Sequence, residues 1–258
     1  IEVDEARLAE IGTARQSVLP FTLLSFEDAP QRHRMRSKLY AQEKVPYNLL
    51  PLNTSHFLKA KKIRIGYFST DFREHPVAYL IAKVFQLHNR DKFEIFGYSL
   101  YGSEKSEVRR RIAKSFDCFI DVQDMSDKEV TLRARQDKID IAIDLTGYTE
   151  NGRSGIFAHR AAPIQINFLG YPGTLGADFI DYIVADPIVI PSTQISAYSE
   201  KIICLPHTYQ PNDNTRAVSQ KISTKADMGL PESSFVFCCF NNNYKISPVE
   251  FDIWMRLM

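Results

Sequence analysis

The stretch Ile164-Gln165-Ile166-Asn167-Phe168-Leu169-Gly170-Tyr171-Pro172-Gly173-Thr174-Leu175-Gly176 decides how the rest of the chain is read. Its first half is a short apolar run bounded by turn residues, the pattern of a buried strand. Its second half places three glycines and a proline where that strand ends. Glycine permits positive φ and close backbone approach, and Pro172 fixes φ. In an open α/β sheet, ligands bind in loops beyond the carboxyl ends of the strands. A tight strand-to-helix turn with no ligand fits the same residues, so this stretch is a candidate that needs neighbours.

The neighbours repeat the pattern. From Lys62 onward, strands are expected over Ile63–Ser69, Glu94–Leu100, Phe119–Val122, Ile139–Thr146, Ile164–Gly170, Tyr182–Ala185, Ile202–Leu205 and Val236–Phe240. Many lack clean alternation, as strands buried on both faces do. Between them, Ala78–His88 places Leu80, Ile81, Val84, Phe85 and His88 on one helical face, and Glu104–Ser115 reads as a charged surface helix. Ser126 with Glu129 forms a capping box that opens a helix running to about Gln136. Repeated βα units predict an α/β fold with a mostly parallel, doubly wound sheet.

Residues 1–60 differ, with charged helix-prone segments at Glu5–Gln16 and Gln31–Glu43 and an irregular connector at Pro46–Asn53. Thr208–Lys225 reads as a polar linker. A fresh unit then begins, its last helix opened by Ser247, Pro248 and Glu250. Three regions follow: a helical linker region over 1–60, a main lobe over 61–225, and the start of a second lobe over 226–258. The chain begins at Ile1 and stops at Met258 inside a helical pattern, so it reads as a piece of a longer protein.

Composition narrows the function classes. Hydrophobic residues make up 44% of the 258 and charged residues 24%, the balance of a soluble globular protein. A net charge of +1 leaves no basic footprint for nucleic acid. The apolar runs are strand-length, too short to span a membrane, and no secretory signal is visible. Four cysteines without C-x-x-C spacing predict reduced thiols and a cytoplasmic protein.

Three strand-end loops carry candidate chemistry. His75, in Asp71-Phe72-Arg73-Glu74-His75-Pro76, follows the first strand and precedes a helix, and its titration range suits proton transfer or a hydrogen bond to a hydroxyl. Asp144 ends another strand and needs a partner if buried, and Asp140 reads as structural. Lys245 stands before a capped helix, where charge and free N–H groups favour an anion. Each has a plainer reading as a cap, a buried support or a solvated loop residue. Walker A, G-x-G-x-x-G, G-x-S-x-G, H-E-x-x-H and Asp-x-Asp patterns are absent, so no metal site is expected.

Taken together these loops resemble the catalytic region of the O-linked N-acetylglucosamine transferases, the SPINDLY-type branch of glycosyltransferase family 41. The resemblance is carried by Arg64–Phe72 with His75-Pro76, Leu145–Thr149, Phe157-Ala158, Arg160, Ala162–Gln165 and Leu169–Thr174. It continues through Asp181–Ile183, Tyr198–Glu200, Pro206–Thr208, Phe240-Asn241 and Tyr244-Lys245. These blocks run in one order over about residues 60–258, each weak alone and strong together.

The resemblance implies a GT-B glycosyltransferase built from two Rossmann-like lobes, of which this chain holds the N-terminal lobe and only the start of the C-terminal one. It implies transfer of N-acetylglucosamine from UDP-N-acetylglucosamine to Ser or Thr hydroxyls of proteins, inverting, without metal or other cofactor. Acceptor proteins would be recruited by upstream tetratricopeptide repeats. His75 matches the family's active-site histidine and Lys245 its diphosphate-contacting lysine. Thr146, Thr149, Leu169, Gly170, Tyr171 and Pro172 match the lining of the sugar and acceptor pocket, and Asn242 and Tyr244 lie near the donor. Asn242 replaces a glutamine of animal members, which shortens its reach. Transfer of fucose from GDP-fucose and epimerisation of UDP-N-acetylglucosamine are the alternatives within related enzymes. Because most of the nucleotide site belongs to the second lobe, residues 1–258 alone are expected to be inactive and to bind UDP weakly. Calorimetry giving micromolar UDP binding would contradict that expectation.

Overall fold

The computed structural model describes residues 5–14, 16–45, 50–51, 61–102, 105–216 and 220–258. Three helices come first: α1 (Glu5–Glu10), α2 (Pro20–Leu23) and α3 (Pro30–Lys44). Strands and helices then alternate through β1 (Ile63–Ser69), α4 (Pro76–Leu87), β2 (Phe93–Ser99), α5 (Glu107–Ala113), β3 (Cys118–Asp121), α6 (Asp127–Gln136), β4 (Ile141–Asp144), α7 (Gly155–Ala158) and β5 (Ile164–Asn167). Strands β6 (Tyr182–Ala185) and β7 (Lys201–Cys204) complete the sheet, and α8 (Pro248–Leu257) closes the chain. The sheet has seven strands in the order β3-β2-β1-β4-β5-β6-β7, and every adjacent pair is parallel.

The period of two along each strand explains the layers. In β1, Ile65 and Tyr67 face one side and pack with Ile81 and Phe85 of α4 and Ile112 of α5. Phe68 faces the other side, with Val130 and Ala134 of α6 and Ile156 and Phe157 of α7. Its ring stacks on Tyr98 of β2 with centroids 4.4 Å apart. A strand covered on both faces has no polar face to show, which is why its sequence reads as a near-continuous apolar run.

The expected sheet is present, with its strand ends redrawn. The run Ile139–Thr146 pairs only over Ile141–Asp144, and Ile164–Gly170 stops at Asn167. In both, a side chain at the strand end bonds the backbone that follows and turns it out of the ladder. Asp144 accepts from the amides of Thr146 and Gly147, and Asn167 donates to the carbonyl of Tyr171. The capping boxes at Ser126 and Ser247 are both formed. Val236–Phe240 is not a strand: it pairs with none among the described residues, and Phe240 is 97% exposed. Strand propensity yields no strand without a neighbouring ladder. Most of the connector Pro46–Asn53 lies outside the described residues.

Helix α3 packs against the strand-end loops. Its buried Arg36 donates to the carbonyls of Leu8 and Ile11 and pairs with Glu27, tying the first helices together. The next residue, Ser37, places its Oγ 3.2 Å from the Tyr171 hydroxyl, and one turn beyond Arg36 the Tyr40 ring meets that of Tyr148 at 4.8 Å. Gly176 (φ +62°) lets the turn after β5 approach the helix backbone, where a Cβ would stand 2.5 Å from the Lys38 nitrogen. Gly176→Ala is therefore expected to lower the unfolding free energy by about 2 kcal/mol or more, through left-handed strain and steric clash together. Gly102→Ala, at φ +61° with nothing within 4 Å, reports the strain alone and is expected to lose about 1 kcal/mol. Urea denaturation of the two variants checks the difference.

Candidate functional site

Strand order reverses between β1 and β4. The chain leaves β1 toward β2 and β3 with helices on one face, then crosses to β4 and winds the other way. At such a switch point the loops leaving adjacent strands diverge and open a crevice at the carboxyl ends. The amide of Thr70, after β1, donates to Thr146 Oγ1, after β4, at 3.2 Å. The next loop joins them from β5: Gly170 packs so tightly that a Cβ there would collide with the Leu145 carbonyl oxygen. Three strand-end loops are thereby held in contact at one place.

His75 caps α4 at this crevice. Its Nδ1 accepts from the Val77 amide at 3.3 Å, so the ring proton of the neutral form sits on Nε2. Burial holds the imidazole below the usual histidine range, Asp71 opposes that by favouring the cation, and Arg73 adds to the lowering. Near neutral pH the ring is uncharged, its side chain is 35% exposed, and Nε2–H is its donor edge. In this state His75 gives a hydrogen bond to a ligand and takes no proton at Nε2.

The remaining predicted residues divide by exposure. Thr149 is partly exposed, its hydroxyl donating to the Thr146 carbonyl, which leaves the oxygen's lone pairs as acceptors. Pro172 is exposed on the turn after β5. Thr146 is fully buried and spends its hydroxyl on Thr70. The Leu169 side chain, at φ +71°, is buried against the core cluster that contains Phe72, Val77 and Leu145, so only its backbone faces the turn. Tyr171 is 1% exposed, its phenol turned toward Ser37 on α3. These three support the loops from beneath, in this conformation, and do not present side chains to the crevice.

Asp144 is the buried acid expected at the end of β4. Burial raises its carboxyl to about 6, against the opposing pull of the Gly147 and Thr146 amides. Asp140 is structural, accepting the Arg64 amide at 2.7 Å. Asn242 and Lys245 flank the short 3-10 turn Asn243–Lys245 and end it, respectively, with Tyr244 between. Lys245 lines a cavity of about 810 Å³ together with Pro172, Gly173 and Thr174, and His75 is not among its lining residues. The structure thus joins Lys245 to the turn after β5, and joins His75 to the loops after β1 and β4.

A second layer of polar residues was not anticipated. Buried Arg109, from α5, donates to the Phe72 carbonyl at 3.1 Å and to Ser99 Oγ at 2.9 Å, and pairs with Asp121, clamping the ends of β2 and β3 to the loop that carries His75. Glu200 accepts from Thr174 Oγ1 and the Leu175 amide, both at 2.6 Å, and pins the turn after β5. Asn167 holds the same turn through the carbonyls of Tyr171 and Gly173. An arginine in a charged helix carries no mark of burial; Glu200, beside exposed-looking residues, carries none either. Among the described residues no group of three His, Cys, Asp or Glu side chains is placed to hold a metal ion, and no helix is long and apolar enough to cross a membrane.

Comparison with known proteins agrees with this geometry. The profile of glycosyl transferase family 41 matches residues 33–220, from α3 to the segment beyond β7. A probable UDP-N-acetylglucosamine–peptide N-acetylglucosaminyltransferase SEC of Arabidopsis thaliana is 41% identical over 203 residues, covering 77% of this chain and 21% of that protein. The UDP-N-acetylglucosamine–peptide N-acetylglucosaminyltransferase of Caenorhabditis elegans is 33% identical, over 73% of this chain and 16% of its own length. Among solved structures, a mutant O-GlcNAc transferase of Thermobaculum terrenum superposes with a TM-score of 0.66 at 28% identity, covering 74% of this chain and 37% of that one. The chain spans about a fifth of the length of these curated relatives. It belongs to glycosyltransferase family 41.

Asp144 links the site to stability. Because its folded carboxyl binds a proton more tightly than the unfolded one, its ionisation weakens the fold as pH rises from about 4 to about 6, by about 3 kcal/mol in all. Asn at this position keeps an oxygen for both amides and never ionises. Asp144→Asn is expected to gain stability relative to wild type across that interval and to match it below pH 4. Urea midpoints measured from pH 4 to 7 give the difference curve.

Proposed function

We propose that the protein containing this chain transfers N-acetylglucosamine from UDP-N-acetylglucosamine to serine or threonine hydroxyls of acceptor proteins. One observation carries the reading: in a family 41 chain, the loops after β1, β4 and β5 meet at the switch point, with the partly exposed His75 on the loop after β1. The relatives named above act on a peptide with this donor, and this chain shares that stretch with them.

Inverting transfer needs an acceptor oxygen in line with the anomeric carbon, a route for its proton, and charge stabilisation on the departing diphosphate. His75 supplies a hydrogen bond from Nε2–H to a sugar or acceptor oxygen. Thr149 offers its hydroxyl oxygen to the sugar, and Pro172 with the backbone at Leu169-Gly170 forms a wall. Thr146 and Tyr171 hold that wall from beneath. Lys245 supplies positive charge to the diphosphate, with Asn242 and Tyr244 beside the donor. Acceptor proteins are recruited by tetratricopeptide repeats upstream, and the reaction proceeds without a metal in the cytoplasm.

The full-length protein is expected to hydrolyse UDP-N-acetylglucosamine slowly and to transfer the sugar to protein. His75→Ala and Lys245→Ala are each expected to reduce transfer by about a hundredfold or more. Mass spectrometry of acceptor peptides, run with UDP-N-acetylglucosamine and with GDP-fucose in parallel, checks both points. Transfer from GDP-fucose alone, or full activity in both variants, overturns the assignment.

A further inference from the structure

The segment that leaves β7 is bound first to the sheet and then to the helices beyond the switch point. The Leu205 amide donates to the Ala185 carbonyl, and the Tyr209 amide to Asp186 Oδ2, just past β6, at 2.9 Å. Asp186 holds the amides of Ile188 and Val189 as well. The Tyr209 ring packs on the core cluster that contains Phe72, Val77 and Leu145. The chain then reaches α5 and α4. Arg111 Nη1 lies 2.5 Å from Asp213 Oδ2, and Arg111 Nη2 donates to Thr215 Oγ1 at 3.0 Å. The Arg216 guanidinium sits 4.6 Å from the centroid of the Tyr79 ring. The expected linker Thr208–Lys225 therefore begins as a strap fixed to the first lobe.

The anchor at Asp213 is a shielded ion pair. The Asp213 side chain is 2% exposed. Burial pulls its carboxyl upward, and the hydrogen bonds from Arg111 and Thr215 outweigh that and hold it at about 2. The carboxylate therefore keeps its charge throughout the neutral range. Its Oδ1 accepts from the Thr215 amide at 2.9 Å and the Thr215 hydroxyl at 2.6 Å, closing the turn on itself as well as on α5. Arg111 also lines a cleft on the outer face of α4 and α5 with Arg90, Arg110 and Lys114, four cations against the single acid Glu107. That positive socket favours an arriving carboxylate. Without Arg111, Asp213 would be a buried charge lacking its cation, a state relieved when the segment lifts into water. Stacking of an exposed guanidinium on a ring is weak beside such a pair, so Arg216 does not hold the strap alone.

We propose that Arg111 is a positioning residue for the sugar donor: by holding Asp213 it fixes the point from which the chain leaves for the second lobe, and with it the placement of Lys245. This rests on the transferase reading above. From the strap the chain returns to the turn after β5, where Lys245 lines a cavity with Pro172 and Gly173. A donor whose diphosphate meets Lys245 and whose sugar meets Thr149 needs both groups at one spacing when it binds. With the clamp closed, the chain departs from Arg216. With it open, the departure point moves back to Tyr209, and the effective concentration of Lys245 at the crevice falls as the connection lengthens. Once bound, the donor itself bridges the two parts, so the chemical step proceeds as before. Arg111 acts through Asp213 on donor affinity and leaves turnover alone.

A double-mutant cycle in the full-length protein tests the clamp. Arg111→Met and Asp213→Ala are each expected to raise KM for UDP-N-acetylglucosamine about fivefold or more, with kcat within about twofold. The double variant is expected to match the worse single, because the two side chains act through one contact. Without donor, hydrogen-exchange mass spectrometry is expected to show residues 206–216 exchanging about tenfold faster in each variant, with α5 and the sheet unchanged. An unchanged KM, a kcat that falls with it, or effects that multiply in the double variant overturns the positioning role. Lost protection across α5 with a lowered melting temperature overturns it too, since the helix and not the strap would then be at fault. Exchange needs no donor. A wild type that transfers no sugar therefore overturns the proposed function and this role with it, whereas a strap still protected in both variants overturns the clamp alone.

Discussion

Burying β1 on both faces is the constraint from which the rest of this structure follows. A strand whose alternate residues, Ile65 and Tyr67 on one side and Phe68 on the other, must all leave water requires a helical layer on each side. Right-handed crossovers place α4 and α5 on one face and α6 and α7 on the other only if the chain changes direction somewhere in the sheet. That change falls between β1 and β4. The crevice there is thus a by-product of core packing, and the chemistry is placed where packing leaves an opening.

What fills the rim of that opening is a polar scaffold with little freedom. Thr70 and Thr146 join two loops, Gly170 seats the third against Leu145, and Arg109 and Glu200 secure the outer segments with charge-assisted hydrogen bonds. Such bonds contribute about 1.5–3 kcal/mol each when charged groups take part, which restrains loops that carry no regular structure of their own. The helix α3 buttresses the same loops from behind through Ser37, Tyr40 and the approach at Gly176. His75 sits in this frame with its Nδ1 near both an amide and a carboxylate.

Much of the fold was legible because period-two and period-3.6 patterns report burial directly. The strands Ile63–Ser69 and Tyr182–Ala185 are found with the expected limits, and the capping boxes at Ser126 and Ser247 are formed. Strand ends were less legible, since Asp144 and Asn167 end their ladders by bonding the backbone that follows, a choice apolar runs do not display. Of the loops expected at strand ends, those carrying His75 and Asp144 follow β1 and β4, whereas the one carrying Lys245 follows no strand among the described residues. Which side chains face outward was not legible: Tyr171, Leu169 and Thr146 look like pocket residues in a motif and turn out to be buried supports.

Sequence by itself determined the layered α/β class, the helix caps and the family, because each depends on local pattern or on blocks in a fixed order. Tertiary structure alone decided that the loops after β1, β4 and β5 touch, since strand order in a sheet is a non-local property. It also decided that Asp71 and the Val77 amide share one nitrogen of His75, and that Val236–Phe240, for all its strand propensity, pairs with no strand among the described residues. Propensity is a property of residues, whereas a ladder, a crevice and a contested proton each require a partner brought close by the fold.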